Sequence, residues 1–227
     1  MDEARKTNAL RGADFIGRFL GGRVIDIGAG KDLVCSHAEG FDREDGDANL
    51  ISRFRPVNTY DAVHSSHCLE HMHDPAAALN EWWSLLKPGG YLVVVVPDED
   101  LYEQGIWPSI FNRDHKTTFR LDKPGSWSAV SHDIRKLVAA LPGCEIVSAE
   151  IQDAHYDYAL QWKHGGVRRK RAWWLRVGKS IGMRIPVVGP RLRIHFENLA
   201  VRRGVPLDQT AREALAQIQV VARKRPA

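Results

Sequence analysis

The stretch VIDIGAGKD, Val24 to Asp32, joins a short apolar strand to a glycine turn and carries an acid, Asp26, just before the first glycine. The turn Gly28-Ala29-Gly30 would lie at the carboxyl end of this strand, which is where ligands bind in a doubly wound sheet. Its glycines let the backbone approach a ligand closely, because they have no Cβ. The stretch therefore predicts a strand-to-helix turn that holds a ligand.

The residues of this turn argue against a ligand that contains phosphate. A dinucleotide-binding fingerprint has a third small residue at its sixth position, where this chain has Leu33. Asp26 would repel a pyrophosphate, which a helix N-terminus otherwise attracts. The Lys-Ser/Thr pair of a P-loop is also missing. These features disfavour an NAD-dependent oxidoreductase on a similar sheet, which remains the alternative class of enzyme.

Two further acids favour a cationic nucleoside. Asp42 follows Asp26 at the predicted end of a second strand, where its carboxylate could hold both ribose hydroxyls. In Gly46-Asp47-Ala48, the carboxylate of Asp47 could accept a hydrogen bond from an exocyclic amine. S-adenosylmethionine has a positive amino-acid end, a ribose and an adenine but no phosphate, so it suits these acids and glycines.

Helix and strand patterns alternate along the chain, which predicts an α/β fold with helices on both faces of a sheet. The length suggests one domain over residues 1–227. The predicted helices span residues 13–20, 76–86 and 130–141, and the predicted strands span 23–27, 40–42, 60–66, 91–97, 144–151 and 216–224. Two regions interrupt the alternation: residues 98–128, expected to form a loop on the acceptor side, and residues 158–196, expected to be a partly helical insertion between the last two strands.

Composition favours a globular protein of the cytoplasm. The chain has 44% hydrophobic and 26% charged residues. Its N-terminal segment has no apolar run typical of a signal peptide, and the longest apolar run, residues 91–96, is too short to span a bilayer. The three cysteines lack a C-x-x-C pair, which argues against a disulfide framework or a structural zinc site. We therefore expect a cytoplasmic location.

Positive charge is concentrated in the insertion. Residues 158–196 contain no acidic residue and ten basic ones, namely Lys163, Arg168, Arg169, Lys170, Arg171, Arg176, Lys179, Arg184, Arg191 and Arg193. Three interpretations stay open: a helix at the inner, anionic membrane surface with Trp173 and Trp174 inserted, a site for an anionic glycan or lipid-linked sugar, and a solvated face whose tryptophans pack inward. Nucleic acid is a disfavoured partner, because no nucleic-acid-binding module is recognisable.

Several stretches together resemble class I S-adenosylmethionine-dependent methyltransferases of the type 11 kind. They are VIDIGAG, GFD at 40–42, GDA at 46–48, YDAVHSSHCLEH at 60–71, DPAAALNEWWSLLKPGGYLVVVVPDED at 74–100 and AQIQVVARK at 216–224. The combination LEH…DP…LKPGG is the most specific part, whereas Lys31 and Asp32 replace the more usual third glycine of the first motif. The resemblance implies a Rossmann-like sheet of seven strands in the order 3-2-1-4-5-7-6, with strand 7 antiparallel.

The same resemblance implies S-adenosylmethionine as the cofactor and assigns its contacts. The implied contacts are Asp26, Gly28 and Gly30 at the methionine end, Asp42 at the ribose, Asp47 with Ala48 at the adenine, and Ser65, Ser66 and His67 around the methyl group.

Methyl transfer to a hydroxyl benefits from a base. His115 in the 98–128 loop, with Asp114 beside it, is the candidate base, and His71 is the second candidate. The run HSSHCLEHMH at residues 64–73 also contains residue types that bind metals, but it has no H-x-x-x-H pair within a helix. A cofactor pocket explains these histidines better, so no metal is expected.

The acceptor is suggested by a narrower resemblance. EDLYEQGIWPSIFNRDHKTTF at residues 99–119 and DQTAREALAQIQVV at 208–221 are similar to bacterial methyltransferases associated with surface-polysaccharide or glycolipid assembly. The predicted function is transfer of a methyl group to an oxygen or nitrogen of a small molecule, sugar or glycolipid. A non-catalytic scaffold protein that retains the cofactor fold is the alternative from a different class.

Overall fold

Strands and helices alternate in the computed structural model, which describes residues 3–162, 199 and 205–226. The helices are α1 Glu3–Leu10, α2 Ala13–Phe19, α3 Pro75–Ser84 and α4 Ile134–Ala139. The strands are β1 Val24–Ile27, β2 Glu39–Phe41, β3 Tyr60–Ser66, β4 Leu86–Pro97, β5 Thr118–Arg120, β6 Ser131–Asp133, β7 Cys144–Gln152 and β8 Gln217–Lys224. Short 3₁₀ helices span Ala48–Arg53, Leu69–His71 and Gln209–Ala211, and a π-helix spans Glu99–Glu103.

Six of the described strands form one sheet in the order β2-β1-β3-β4-β8-β7, and β5 pairs separately with β6. The strands β1 to β4 are parallel, and β8 runs antiparallel to both of its neighbours. This arrangement confirms the predicted Rossmann-like order, apart from the edge strand expected beside β2. Between Asp42 and Thr59 the chain forms turns and the 3₁₀ helix Ala48–Arg53 instead. The run DREDGD supplies turn-forming residues there, and it lacks the alternating apolar residues of a strand.

The apolar side chains of β4 alternate between two buried faces of the sheet. Val94 and Val96 join a core that includes Trp82 of α3. Val93 belongs to the opposite core, together with Phe19 of α2. A strand that is apolar on both faces is typical of a sheet centre covered by helices, so the predicted central strand is confirmed.

Helix α3 begins with the predicted capping pattern. The Asp74 carboxylate accepts the backbone N–H groups of Ala76 and Ala77 at 2.9 and 3.0 Å, and Pro75 occupies the first turn. The helix ends at Ser84, slightly earlier than predicted. Beyond this cap, Leu79 and Trp82 of the helix are buried in the core against the sheet.

The predicted boundaries that differ most from the structure are the starts of β4 and α4. Strand β4 begins at Leu86 rather than at the predicted Tyr91, because residues 87–90 form an irregular part of the strand. The helix predicted from residue 130 begins at Ile134, because the carboxylate of Asp133 accepts the N–H of Lys136 at 3.2 Å and caps α4 there.

Residues 98–128 pack against the loop that follows β3. The backbone N–H of Lys116 donates to the Glu70 carbonyl at 2.8 Å, and Phe119 is fully buried in the core. The side chain of Phe111 packs edge-to-face on Tyr102, with ring centroids 5.8 Å apart. The aromatic residues of this segment therefore include core residues, and the segment is tied to the end of β3.

Most of the predicted basic insertion lies outside the described residues. This holds for residues 163–196 and therefore for the helix predicted around 167–181. Within the described ranges, each helix is too short or too polar to cross a bilayer.

Candidate functional site

Two cavities lie at the carboxyl ends of β1, β2 and β3, and both are lined by Gly28, His67 and His71. The first, of about 390 Å³, is lined by the whole glycine turn, Ala29 included, and by the 98–128 segment. The second, of about 530 Å³, reaches from Gly28 to Ala48. Because the cavities share these residues, they form one cleft along the edge where a doubly wound sheet binds ligands.

Gly28 occupies a position that only glycine fits. Its φ is +76°, and a Cβ there would lie 2.7 Å from the Cβ of Cys68. Its N–H donates to the Phe41 carbonyl at 2.8 Å, which ties the turn to β2. The N–H of Gly30 donates to Asp42 Oδ2 at 2.9 Å. These bonds hold the turn with its backbone along the cleft.

Asp26 lies at the floor of the first cavity with both carboxylate oxygens engaged inside the protein. Its Oδ2 accepts the Val34 N–H at 2.7 Å, and its Oδ1 lies 2.6 Å from His64 Nδ1. Only 2% of Asp26 is exposed. Asp26 therefore places a negative charge beneath the glycine turn and offers little carboxylate surface to a ligand.

A buried arginine, which no sequence pattern indicated, completes this charge network. Arg11 Nη1 lies 3.2 Å from His64 Nε2, and its Nε and Nη2 donate to Gln219 Oε1 at 3.1 and 2.6 Å. Burial lowers the pKa of Arg11 to about 10, although Asp26 and Glu150 oppose the shift. Burial also lowers the pKa of His64, against the effect of Asp26. A neutral His64 that donates from Nδ1 to Asp26 and accepts at Nε2 from Arg11 satisfies all three groups.

The acids predicted at the ribose and the adenine both line the second cavity, together with Ala48. Asp42 accepts the backbone N–H of Arg43 on Oδ1 at 2.7 Å. Asp47 caps the 3₁₀ helix, because its Oδ1 accepts the Asn49 N–H at 2.9 Å. The hydrogen bonds from Asn49 lower the pKa of Asp47. The structure thus brings both carboxylates to the cleft.

The three residues predicted around the methyl group separate in the structure. Ser66 and His67 line the first cavity. Ser65 is fully buried and lines neither of these two cavities, and its hydroxyl donates to the Ile27 carbonyl at 3.0 Å. His67 has a φ of +53°, and its Nε2 lies 2.9 Å from Gln217 Oε1. A side chain of β8 therefore orients His67 from across the sheet.

Both predicted catalytic histidines line the first cavity, and two buried carboxylates accompany them. His115 Nδ1 lies 2.7 Å from Glu103 Oε1, and His71 Nδ1 lies 3.2 Å from the Asp114 carbonyl. The rings of His71 and His115 meet edge-to-face with centroids 5.0 Å apart. Their Nε2 atoms lie 4.0 and 3.9 Å from Glu70 Oε1. The structure therefore joins these two histidines, which are far apart in sequence, at one carboxylate.

Of the two buried carboxylates, the sequence indicated Glu70 but not Glu103. Burial opposes the ionisation of Glu70, but His67, His115 and His71 outweigh it and hold the pKa of Glu70 below its usual value. Glu70 stands in the histidine-rich run that the sequence analysis singled out. Glu103, the partner of His115, was missed, because it closely follows the acids at residues 98–100 and nothing in the local sequence marks it as buried.

A family model described as a methyltransferase domain matches residues 1–127 of this chain, which is more than half of its length. The matched range contains the glycine turn, the acids Asp42 and Asp47 and the histidines of the first cavity.

The chain is similar in sequence to one curated protein. The chain is 39% identical over 59 residues to an uncharacterized methyltransferase of Schizosaccharomyces pombe, and the match covers 26% of this chain and 20% of that protein. The match thus spans about a fifth of the curated relative.

Two solved structures share the fold with a TM-score of 0.51. One is a putative methyltransferase from Bacillus halodurans C-125, 12% identical over 99% of this chain and 100% of that chain. The other is phosphoethanolamine N-methyltransferase 2 of Haemonchus contortus, solved with phosphomonomethylethanolamine and S-adenosylhomocysteine, and 14% identical over 97% of this chain and 52% of that chain. At these identities the similarity concerns the fold.

Proposed function

Because the chain belongs to the methyltransferase domain family, we propose that it transfers a methyl group from S-adenosylmethionine to an oxygen or nitrogen atom of an acceptor. The observation that carries this proposal is the order of groups along the cleft: the glycine turn above Asp26, then Asp42, then Asp47. These carboxylates suit a donor that is positively charged and has no phosphate. When bound, S-adenosylmethionine supplies a methyl group on a positive sulfonium.

In this proposal, different residues of the cleft bind different parts of the donor. The backbone of the glycine turn holds the methionine end, and the buried charge of Asp26 stabilises its positive groups from below. Asp42 accepts the ribose hydroxyls. Asp47 uses Oδ1 for both of its bonds to Asn49, so its Oδ2 can accept a bond from the adenine amine. Ser66 and His67 surround the position of the methyl group.

His115 is the candidate base in this proposal, and His71 is the second candidate. The carboxylate of Glu103 accepts the Nδ1 proton of His115 at 2.7 Å. This bond orients the ring and leaves Nε2 as the nitrogen that can accept a proton, as in other carboxylate–histidine pairs. The support is thus geometric: an oriented, buried histidine borders the cavity next to the glycine turn.

The acceptor is proposed to be a small molecule, a sugar or a glycolipid. The support is the charge of residues 158–196, which contain ten basic residues and no acidic one. Such a segment suits an anionic acceptor or the anionic inner surface of a membrane. Co-sedimentation with anionic liposomes at low salt tests the membrane part of this proposal, and absence of binding would remove it.

Calorimetry tests the donor assignment. S-adenosylmethionine and S-adenosylhomocysteine should bind and raise the melting temperature, because a ligand that binds only the native state stabilises it. NAD⁺ should do neither. Heat with NAD⁺ and none with the sulfonium compound or its demethylated product would overturn the proposal. Release of S-adenosylhomocysteine in the presence of an acceptor then separates an enzyme from a scaffold protein.

A glycine pair provides the matched variants for this test. Gly28→Ala should lower the affinity for S-adenosylhomocysteine by about tenfold or more, because a side chain at φ +76° is strained and contacts Cys68. Gly17→Ala in α2 should leave the affinity unchanged, because a Cβ there has no neighbour within 4 Å. Equal affinities of the two variants would contradict the role of the turn.

A further inference from the structure

The buried carboxylate of Glu70 lies among three histidine rings. Its side chain is 1% exposed, and neither oxygen has a hydrogen-bond partner among the described residues. The nearest ring nitrogens are His67 Nδ1 at 3.5 Å, His115 Nε2 at 3.9 Å and His71 Nε2 at 4.0 Å. The last two distances are too long for a hydrogen bond. A buried charge in such a position is unfavourable unless a cation compensates it.

The hydrogen bonds on the far side of two rings place lone pairs toward Glu70. His115 Nδ1 lies against the Glu103 carboxylate, and His71 Nδ1 lies against the Asp114 carbonyl. Carbonyl and carboxylate oxygens accept hydrogen bonds, so both Nδ1 atoms carry the proton in the neutral rings. When both rings are neutral, their Nε2 lone pairs therefore face the Glu70 carboxylate. Two such lone pairs and the carboxylate form a ligand set for a metal cation, which would take the place of the protons that otherwise offset the Glu70 charge.

We propose that Glu70, His71 and His115 bind a divalent transition-metal ion of the zinc type at the inner end of the first cavity. One ligand atom from each of the three residues lies within 4.8 Å of the other two. Metal–ligand distances of about 2.0–2.2 Å require a small inward movement of the side chains. His71 can supply this movement, since its side chain is one-fifth exposed.

The chemistry of the donors selects the class of metal. Two imidazoles and one carboxylate are typical of zinc and related ions, whereas magnesium prefers oxygen ligands only. The bonds from the Nδ1 atoms to Glu103 and to the Asp114 carbonyl are the outer bonds that metal-binding histidines make. Three protein ligands leave at least one position open toward the cavity that these residues line.

No metal was expected from the sequence, because the run at residues 64–73 has no H-x-x-x-H pair within a helix and His115 lies outside this run. The 98–128 segment brings this third ligand to Glu70. With a metal bound, His71 and His115 would be ligands rather than bases, and the metal would act as the Lewis acid that polarises an acceptor oxygen. This part of the inference rests on the proposed function, whereas the metal site rests on the geometry of the cluster.

Metal titration of the full chain tests the site. After treatment with chelator, calorimetry with zinc chloride should show one ion per chain, bound about 100-fold or more tightly than magnesium from magnesium chloride. Glu70→Gln and His71→Ala should each weaken zinc binding by about 100-fold or more, because each removes a ligand. Glu103→Gln should weaken it by about 10- to 100-fold through the orientation of His115. The control His155→Gln changes an exposed histidine and should leave binding unchanged.

The outcomes separate this inference from the proposed function. Absence of stoichiometric zinc, or equal zinc affinity in the wild type and in Glu70→Gln, overturns the metal site. If Glu70→Gln does not fold, the partly exposed His71→Ala decides, with its circular dichroism as the check of folding. The same samples are titrated with S-adenosylhomocysteine. If S-adenosylhomocysteine binds but zinc does not, only the metal site is overturned. If zinc binds but S-adenosylhomocysteine does not, only the donor assignment is overturned.

Discussion

Single side chains with buried charge are concentrated around the cleft and the segment beside it. Asp26, Glu70, Asp98, Glu99 and Glu103 are each at most 2% exposed. Burying a charge is unfavourable, so each such group needs a partner or a function. Asp26 and Glu103 each contact a histidine, and Glu99 accepts bonds from three hydroxyls. One oxygen of Asp98 has no hydrogen-bond partner within the described ranges.

Ionisation of the buried Asp98 is expected to lower the free energy of unfolding as the pH rises. Burial raises the pKa of Asp98 from 3.8 to about 6, although the Leu101 N–H opposes the shift. Between these values the native state holds a proton that the unfolded state has released, so the free energy of unfolding decreases with increasing pH. A shift of about two pKa units corresponds to about 3 kcal/mol. Asp98→Asn should remove this loss, because the amide keeps an oxygen for the N–H groups of Asp100 and Leu101.

Urea unfolding at pH 4 and pH 7 measures this effect. The relevant quantity is the difference between the wild type and Asp98→Asn, since the contributions of unaltered groups cancel. Asp74→Asn, at the exposed cap of α3, controls for the loss of a carboxylate in general. An identical pH dependence of the wild type and Asp98→Asn would show that Asp98 is not the responsible group.

Among the secondary-structure elements, α3 supports the part of the cleft that Asp47 and Ala48 line. Trp82 is fully buried, and its Nε1 donates to the Ala48 carbonyl at 2.9 Å. The neighbouring Trp83 donates to the Pro142 carbonyl, also at 2.9 Å, after the end of α4. One helix thus fixes a 3₁₀ helix that lines the cleft and a second element outside it.

Trp82→Phe should weaken cofactor binding more than Trp83→Phe. Each change leaves a carbonyl without its indole donor and should cost about 1–3 kcal/mol of stability. Only the change at Trp82 frees Ala48 and the adjoining Asp47, so only that variant should lose affinity for S-adenosylhomocysteine. Calorimetric titration with S-adenosylhomocysteine compares the affinities of the two variants. Urea unfolding checks that their losses of stability are similar. Equal losses of affinity would mean that the Trp82 bond does not position the cleft.

Across the whole chain, Arg11 connects the N-terminal segment with three strands of the sheet. Its guanidinium contacts His64 of β3 and Gln219 of β8. His64 is in turn hydrogen-bonded to Asp26 of β1. Asp26 and Glu150 are the acids that favour its charged form. The charge beneath the glycine turn is therefore balanced by a residue that precedes the first strand.

Arg11→Met should destabilise the protein by about 3–5 kcal/mol, because it leaves the buried Asp26 charge without its cation. The double variant Arg11→Met/Asp26→Asn should lose less than the sum of the single variants, with a coupling of about 1–3 kcal/mol. Urea unfolding of the four proteins gives this coupling. Additive losses would show that the two charges are independent in spite of the intervening His64.

Short-range patterns predicted most of the fold. The strand and turn at VIDIGAG, the capped start of α3 and the apolar strand through Val93 are as predicted, because propensity, capping and burial act on neighbouring residues. The family prediction is confirmed by the model that matches residues 1–127. The missing edge strand shows the limit of resemblance, because the local sequence at residues 42–59 favours turns over a strand.

The order of residues along the chain specified the glycine turn and the sequence of acids at the cleft, because these groups follow consecutive strands whose ends meet at one edge of the sheet. Folding in three dimensions specified the rest: the pairing of Arg11 with the Asp26–His64 network, the convergence of His71 and His115 on Glu70, and the pairing of His115 with Glu103. Apart from Glu70 and His71, which are neighbours, these contacts join residues that are not adjacent in sequence. Their partners depend on how the 98–128 segment and the N-terminal helices pack, which no local pattern encodes.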